Sequence, residues 1–292
     1  MDEVVLRLAY RPPYDWAHLL HFLAARAIPH VETADGNAYA RTVVTPDGGS
    51  AIIRVRPIDG EDALEFRVSR ADAAALLPLS TVARRVFDLA ADPATIALAF
   101  QDDALLARLV KRRPGLRIPG VWDPFECAVR AVVGQQVSFK AGVTLVGRIV
   151  ERAGKPLSTP SQGLSHLFPA PGALIAADLS GLGLTRGRID AVKALAMAIV
   201  DASLDFSASA DQVARTLTAI RGIGPWTAQY VALRALGEPD AFPTADLVLR
   251  REASDSRGPL TPSALQKRAE RWRPWRGYAA IHLWSAAMHR RR

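Results

Sequence analysis

Asp246 is the residue whose position in this chain most invites chemistry. It ends a Pro-rich segment, Glu238-Pro239-Asp240-Ala241-Phe242-Pro243-Thr244-Ala245-Asp246, one helix beyond a turn marked by two glycines. At that spacing the chain can double back and set a carboxylate at the mouth of the turn. A lone carboxylate there could stabilise an oxocarbenium-like sugar and orient or activate water, which is what breaking a glycosidic bond requires. A plainer role fits equally well. Thr244 and Asp246 both sit where a helix starts, and Asp is a good N-cap.

The turn lies within 217–230, LTAIRGIGPWTAQY. Gly222 and Gly224 permit backbone torsions that other residues avoid, and they leave the neighbouring amides uncovered. A second helix begins just after them, its positive dipole end facing the same way. Together these make an anion pocket that suits a phosphate, with the amides of Gly222, Gly224 and Thr227 as candidate donors. Ile223 plugs the turn into the core. A bare Gly-Ile-Gly also fits an ordinary turn between helices with a Gly C-cap. The longer run Ile220-Arg221-Gly222-Ile223-Gly224-Pro225-Trp226-Thr227-Ala228 is far more specific.

Two kinds of element must position these groups. The first ~95 residues mix strands and helices. Residues 39–44 read as a strand, Pro46-Asp47-Gly48-Gly49 as a turn, and 51–56 as the returning strand. After Asp59-Gly60, Leu64, Phe66 and Val68 alternate with Glu65 and Arg67, which gives an antiparallel sheet with one wet face. Helices flank it at 19–23 and 82–89. From residue 100 the strand pattern disappears. Asp123-Pro124-Phe125-Glu126 reads as an N-cap, a Pro at the first helical position and a Glu completing a capping box. Helices are expected at 138–152, 188–200, 211–220, 226–236, 245–253, 261–272 and 275–289, with a Pro/Gly/Ser-rich connection over 154–172. The fold class is α+β: a mixed N-terminal domain (1–98), then an all-helical body in two subdomains (123–238, and 99–122 with 239–292).

The balance of 37 Lys+Arg against 29 Asp+Glu gives a net charge of +8, compatible with a polyanionic partner but silent on where the charge sits. One cysteine, Cys127, excludes an internal disulfide framework, a Cys-ligated iron–sulfur cluster and a Cys-rich zinc site. It reads as a small buried hydrophobe. The histidines His18, His21, His30, His166, His282 and His289 show no ligand spacing, so no metal and no cofactor is expected. The opening MDEVVLRLAY is acidic and then alternates, unlike a signal peptide. No apolar run nears the roughly 20 residues of a membrane span. The expectation is a cytoplasmic monomer with no membrane and no obligate protein partner.

The runs GIGPWTAQYVALR and FPTADLVLR resemble the helix-hairpin-helix, Gly/Pro-rich loop and Asp of a DNA glycosylase superfamily. Further runs resemble its bacterial 3-methyladenine DNA glycosylase II (AlkA) type: Pro12-Pro13-Tyr14-Asp15-Trp16, Phe22-Leu23-Ala24-Ala25-Arg26, Arg113-Pro114-Gly115-Leu116-Arg117, Val133-Gly134-Gln135, and Glu270-Arg271-Trp272 to Pro274-Trp275-Arg276. The likeness spans nearly the whole chain. It implies a cleft between two helical domains, double-stranded DNA with damaged bases as partner, and flipping of the damaged nucleotide. Asp246 falls on the catalytic aspartate. Phe22, Trp226, Tyr230, Val248 and Trp284 fall on or near base-pocket positions, though any one of them could equally be core. Electron-rich rings suit a cationic alkylated purine, and such a base departs readily without an acid.

Relatives that also nick the strand carry a hairpin Lys that forms a Schiff base. Trp226 stands there, so the expectation is a monofunctional enzyme that removes alkylated bases. Three departures stand out. Gln136 replaces a Leu wedge, Ala245 replaces an acidic neighbour of Asp246, and 254–259 reads as a short insertion. Arg186, Arg188, Lys193, Arg221, Lys140 and Arg148 are further phosphate candidates, a solvated helix face being the plainer reading. The terminal Arg290-Arg291-Arg292 reads as a solvated tail. Two alternatives remain: the same fold acting on oxidised or deaminated bases, and a non-catalytic binder of distorted DNA.

Overall fold

The computed structural model describes residues 3–69, 73–255 and 258–290. Arg291 and Arg292 of the expected tail, and residues 256 and 257 of the expected insertion, lie outside them. In chain order the elements begin β1 (Glu3–Ala9), α1 (Trp16–Ala24), β2 (Glu32–Asp35), β3 (Ala38–Val44), β4 (Ser50–Pro57) and β5 (Ala63–Ser69). Then come α2 (Ala73–Val86), α3 (Pro93–Ala99), α4 (Ala104–Arg112), α5 (Pro124–Val133) and α6 (Phe139–Ala153). A short hairpin, β6 (Lys155–Ser161) and β7 (Leu164–Leu167), interrupts the helices. The rest is α7 (Pro171–Ala176), α8 (Arg186–Val200), α9 (Ala210–Ala219), α10 (Pro225–Val231), α11 (Leu247–Glu252), α12 (Pro262–Ala269) and α13 (Arg276–Arg290). A π turn, Ala232–Leu236, extends α10, and a 3₁₀ turn, Glu270–Trp272, follows α12. None of these helices is long and apolar enough to cross a membrane.

The sheet is antiparallel throughout, in the order β1-β5-β4-β3-β2. Its register stacks Tyr39 on Val55 and Val55 on Phe66, so bulky residues share one face and pack on α1 and α2. A second apolar core gathers α5, α6, α8, α9 and α10, and takes Ile28 and Val31 from the N-terminal segment. A third holds α3, α4, α11, α12 and α13 around Trp272 and Phe242.

The body is not entirely helical. The 154–172 connection contains the β6–β7 hairpin. Its strands show no apolar alternation, because β6 is exposed nearly throughout. What orders it is β3 and the turn before β2: Thr42 donates from its hydroxyl to the His166 carbonyl at 2.7 Å, and Ser165 N–H donates to the His30 carbonyl at 2.8 Å. The hairpin covers the face of β3 that a lone sheet would leave wet, and so β3 is buried on both sides.

The expected capping box of α5 forms only in half. Asp123 Oδ1 accepts from the Glu126 N–H at 2.9 Å. The Glu126 carboxylate does not return to the cap but takes Arg41 Nη2 at 2.7 Å and Arg130 Nη1 at 3.1 Å. A buried guanidinium needs a carboxylate more than an N-terminal amide does. Arg130 also meets Glu32 Oε2 at 3.1 Å. The four charges staple the N-terminal sheet to α5. Burial alone would raise the Glu32 pKa, but Arg130 and Arg41, with the Tyr39 hydroxyl, hold it below the usual carboxylate range.

Asp88 shows the opposite balance. Burial pushes its carboxyl up to about 6, although Ile118 N–H and the Tyr278 hydroxyl both donate to Oδ2, at 3.0 and 2.8 Å. A raised folded pKa means stability that is fully present below the unfolded value and lost as pH rises through about 6. Asp88→Asn keeps one carbonyl oxygen for both donors and removes the charge. It is also compatible with the positive φ of 51° at this residue. Denaturant melts should show the variant more stable than wild type by about 1–2 kcal/mol at pH 8. The difference should vanish by pH 4, and a pH-independent gain would contradict the assigned cause.

Candidate active site

The helix α11 starts at Asp246 because Asp246 caps it: Oδ1 accepts from Leu249 N–H at 2.9 Å. The same carboxylate receives two indoles. Trp226 Nε1–H donates to Oδ2 at 2.9 Å, and Trp284 Nε1–H to Oδ1 at 3.3 Å. The plain N-cap and the carboxylate aimed at a cleft are therefore one group doing both. A carboxylate has about four lone-pair sites, so three donors leave room for one further partner. The two tryptophans come from α10 and α13, so three elements converge on one pair of oxygens.

That carboxylate lies on the wall of a cavity of about 240 Å³, which Phe22, Trp226, Tyr230, Val248 and Trp284 also line. The five residues expected there from the sequence are thus brought together with Asp246. Trp226 and Tyr230, one helical turn apart on α10, stack with ring centroids 5.2 Å apart and planes 12° apart. Tyr230 meets Trp284 at 6.4 Å and 60°. The space is largely apolar, with one carboxylate, Asp246, and two guanidinium groups, Arg26 and Arg130, on its wall.

The hairpin sits beside this cavity. Gly222 takes φ +94°, where a side chain would be strained, and a Cβ there would come within 3.2 Å of the Ala191 Cβ. Gly224 is the N-cap of α10, and Pro225 is its first residue. Thr227 is 2% exposed, and its hydroxyl accepts from Gln135 Nε2 at 3.2 Å. Its side chain thus faces inward, and its amide is what it can offer an anion. Gln135 also donates to the Gly222 carbonyl at 3.0 Å, clasping the hairpin to the 134–138 loop. Gln136, exposed and at φ +54°, stands on that loop between Gly134 and Ser138, which line the cavity.

A model of the AlkA N-terminal domain matches residues 5–123. A model of the HhH-GPD superfamily base excision DNA repair proteins matches residues 129–276. A relative from Escherichia coli, named DNA-3-methyladenine glycosylase 2, is 34% identical over 95% of this chain and 95% of its own length. The chain belongs to the AlkA family of HhH-GPD proteins. A Mycobacterium tuberculosis relative, named probable bifunctional transcriptional activator/DNA repair enzyme AlkA, is 40% identical over 98% of this chain. The chain spans 58% of that longer protein. The structure of a 3-methyladenine DNA-glycosylase from Archaeoglobus fulgidus superposes with a TM-score of 0.81 at 23% identity, covering 95% of this chain and 96% of that one.

Several of the cations in this AlkA-family chain serve the fold. Arg188 donates to the Gln135 carbonyl, Arg148 to the Leu182 carbonyl at 3.0 Å, and Lys193 to the Ile175 carbonyl at 3.1 Å. Arg186 pairs with Asp190. Of the wall residues that escaped the sequence reading, three are charged or aromatic. Arg26 from the turn after α1, Arg130 from α5 and Phe139 from α6 all line the cavity. Arg26 was within reach as part of the Phe22 to Arg26 motif. Nothing local marks Phe139, which opens α6 and is 72% exposed.

Proposed function

We propose that this chain is a monofunctional DNA glycosylase that flips alkylated bases such as 3-methyladenine and 7-methylguanine out of duplex DNA and removes them hydrolytically. The observation that carries the reading is the Asp246 carboxylate held by two indoles on the wall of an aromatic cavity. A planar base fills the space between the rings. The C1′–N bond breaks with its electron pair going to the base, and Asp246 stabilises the positive charge left on the sugar. Water then adds to C1′. An alkylated purine is already cationic and leaves neutral, so no general acid is required.

The amides of Gly222, Gly224 and Thr227 hold a phosphate of the lesion strand, which sets the register of the cleft on DNA. Gln136 enters the gap left by the flipped base and hydrogen-bonds to the orphaned partner. The enzyme works as a cytoplasmic monomer, without metal or cofactor. Trp226 offers its N–H to Asp246 where a lyase would carry an amine, so no Schiff base forms. Duplexes carrying methylated purines should release free base and keep the abasic strand intact until alkali is added. Nicking without alkali, or a product trapped by borohydride, would refute the monofunctional reading. Release of no alkylated base would refute the substrate assignment.

A further inference from the structure

The wall of the cavity that includes Arg26 carries positive charge. The Arg26 guanidinium lies between two aromatic faces, its Cζ 3.6 Å from the Phe22 centroid and 4.4 Å from that of Phe139. Behind Phe22, Arg234 stands 4.7 Å from the same ring and donates to the Tyr230 hydroxyl at 2.6 Å. Arg130, the third arginine here, is matched by Glu32 and Glu126. Among the described residues no carboxylate pairs with Arg26 or Arg234. Burial lowers the Arg26 pKa to about 10, which still leaves it charged at neutral pH.

We infer that Arg26 reads the charge of the base in the cavity, assisting departure of neutral bases and opposing binding of cationic ones. This rests on the proposal that the cavity takes the flipped base. When the C1′–N bond of a neutral base breaks, the electron pair leaves the base negative until a proton from the attacking water reaches it, while the hydroxyl stays on C1′. A cation fixed beside the base stabilises that developing charge in the transition state. A base that is already cationic becomes neutral as it leaves, so it gains nothing from the guanidinium and is repelled in the bound state.

The sandwich makes Arg26 suited to this. Two ring faces and a hydrogen bond from Nη1 to the Phe22 carbonyl, 3.2 Å long, fix the guanidinium plane. A planar fork held this way keeps its remaining N–H donors in place for acceptor atoms at a purine edge. The exposed Phe139 also finds a use, since it supplies the outer face of the sandwich.

The test compares single-turnover release of hypoxanthine, a neutral base, with release of 7-methylguanine, a cationic one, from otherwise identical duplexes. Arg26→Gln should lower the ratio of hypoxanthine to 7-methylguanine release roughly 10- to 100-fold, the loss falling on hypoxanthine. Arg26→Lys, which keeps the charge without the plane, should recover part of the hypoxanthine loss. If Arg26→Gln does not fold, as judged by its thermal melt, the contrast is read on Arg26→Lys, which should then show a smaller loss confined to hypoxanthine. Equal changes for both bases, or a hypoxanthine rate unaffected by either variant, would overturn the inference. So would a wild-type protein that releases 7-methylguanine and no hypoxanthine. Failure of the wild type to release 7-methylguanine would count against the proposed function instead, and the hypoxanthine rates alone would still test Arg26.

Discussion

Asp246→Asn should lower base release from methylated duplexes by about 10²- to 10³-fold while leaving affinity for the same DNA within a few-fold of wild type. The substitution is nearly isosteric, and Asn caps helices about as well as Asp. One side-chain oxygen can still accept from Leu249 N–H and the Trp284 indole, which already share Oδ1 in the wild type. What disappears is the negative charge beside the anomeric carbon, together with the acceptor for Trp226. In the variant an NH₂ group faces the Trp226 N–H across 2.9 Å, and losing that hydrogen bond costs on the order of 1 kcal/mol. Asp246→Ala separates the two roles, because it also removes the cap, at about 1 kcal/mol of stability. Rates under single-turnover conditions, with melting curves for both variants, settle the matter. If Asp246→Asn releases base within tenfold of wild type, the residue is only a helix cap, and the carboxylate does not carry the chemistry.

The residues around Asp246 were legible because their signals are local. A positive-φ glycine, a Pro at the first position of α10 and an Asp at the start of α11 each satisfy a backbone need within a few positions of themselves. Reading Trp226, Tyr230 and Trp284 as one wall needed the family resemblance, because α10 and α13 are far apart in sequence. The wall that Arg26 and Phe139 share was legible only in part, through the Phe22 to Arg26 motif. Arg26 and Phe139 are 113 positions apart in the chain and meet only when the turn after α1 packs on α6. The β6–β7 hairpin escaped for a similar reason, since its order comes from β3 rather than from its own alternation. The helices α3 and α4 carry local signals, the N-caps Asp92 and Asp103, but span only seven and nine residues. The capping box of α5 failed where a tertiary demand, the Arg41 guanidinium, outweighed a local one.

That demand leads to the largest expected effect on stability. Arg41 and Glu126 are 3% and 1% exposed at their side chains, with Nη2 and Oε2 2.7 Å apart. Taking either partner away strands a buried charge, which typically costs about 3–5 kcal/mol. Glu126→Gln should therefore lower the melting temperature by roughly 10 °C, at about 2–4 °C per kcal/mol for a chain of this size. Arg41 keeps neutral acceptors, the new amide oxygen and the Thr42 carbonyl at 3.1 Å, and for counter-charge only a long contact to Glu32 at 3.5 Å. The loss should deepen in acid. The depressed pKa of Glu32 gives stability that is present above its unfolded value, near pH 4, and lost as pH falls through the folded value. Without Glu126, Glu32 is the remaining counter-charge for both arginines. Replacing the pair together, Arg41→Met with Glu126→Leu, should recover most of the single-variant loss, because two apolar side chains leave no stranded charge. Arg130, which donates to the Arg26 carbonyl at 2.6 Å, would keep Glu32 as its partner, so the wall around Arg26 should survive in the double variant. A double variant as unstable as Glu126→Gln would mean that the pair holds the sheet to α5 by geometry that apolar packing cannot replace.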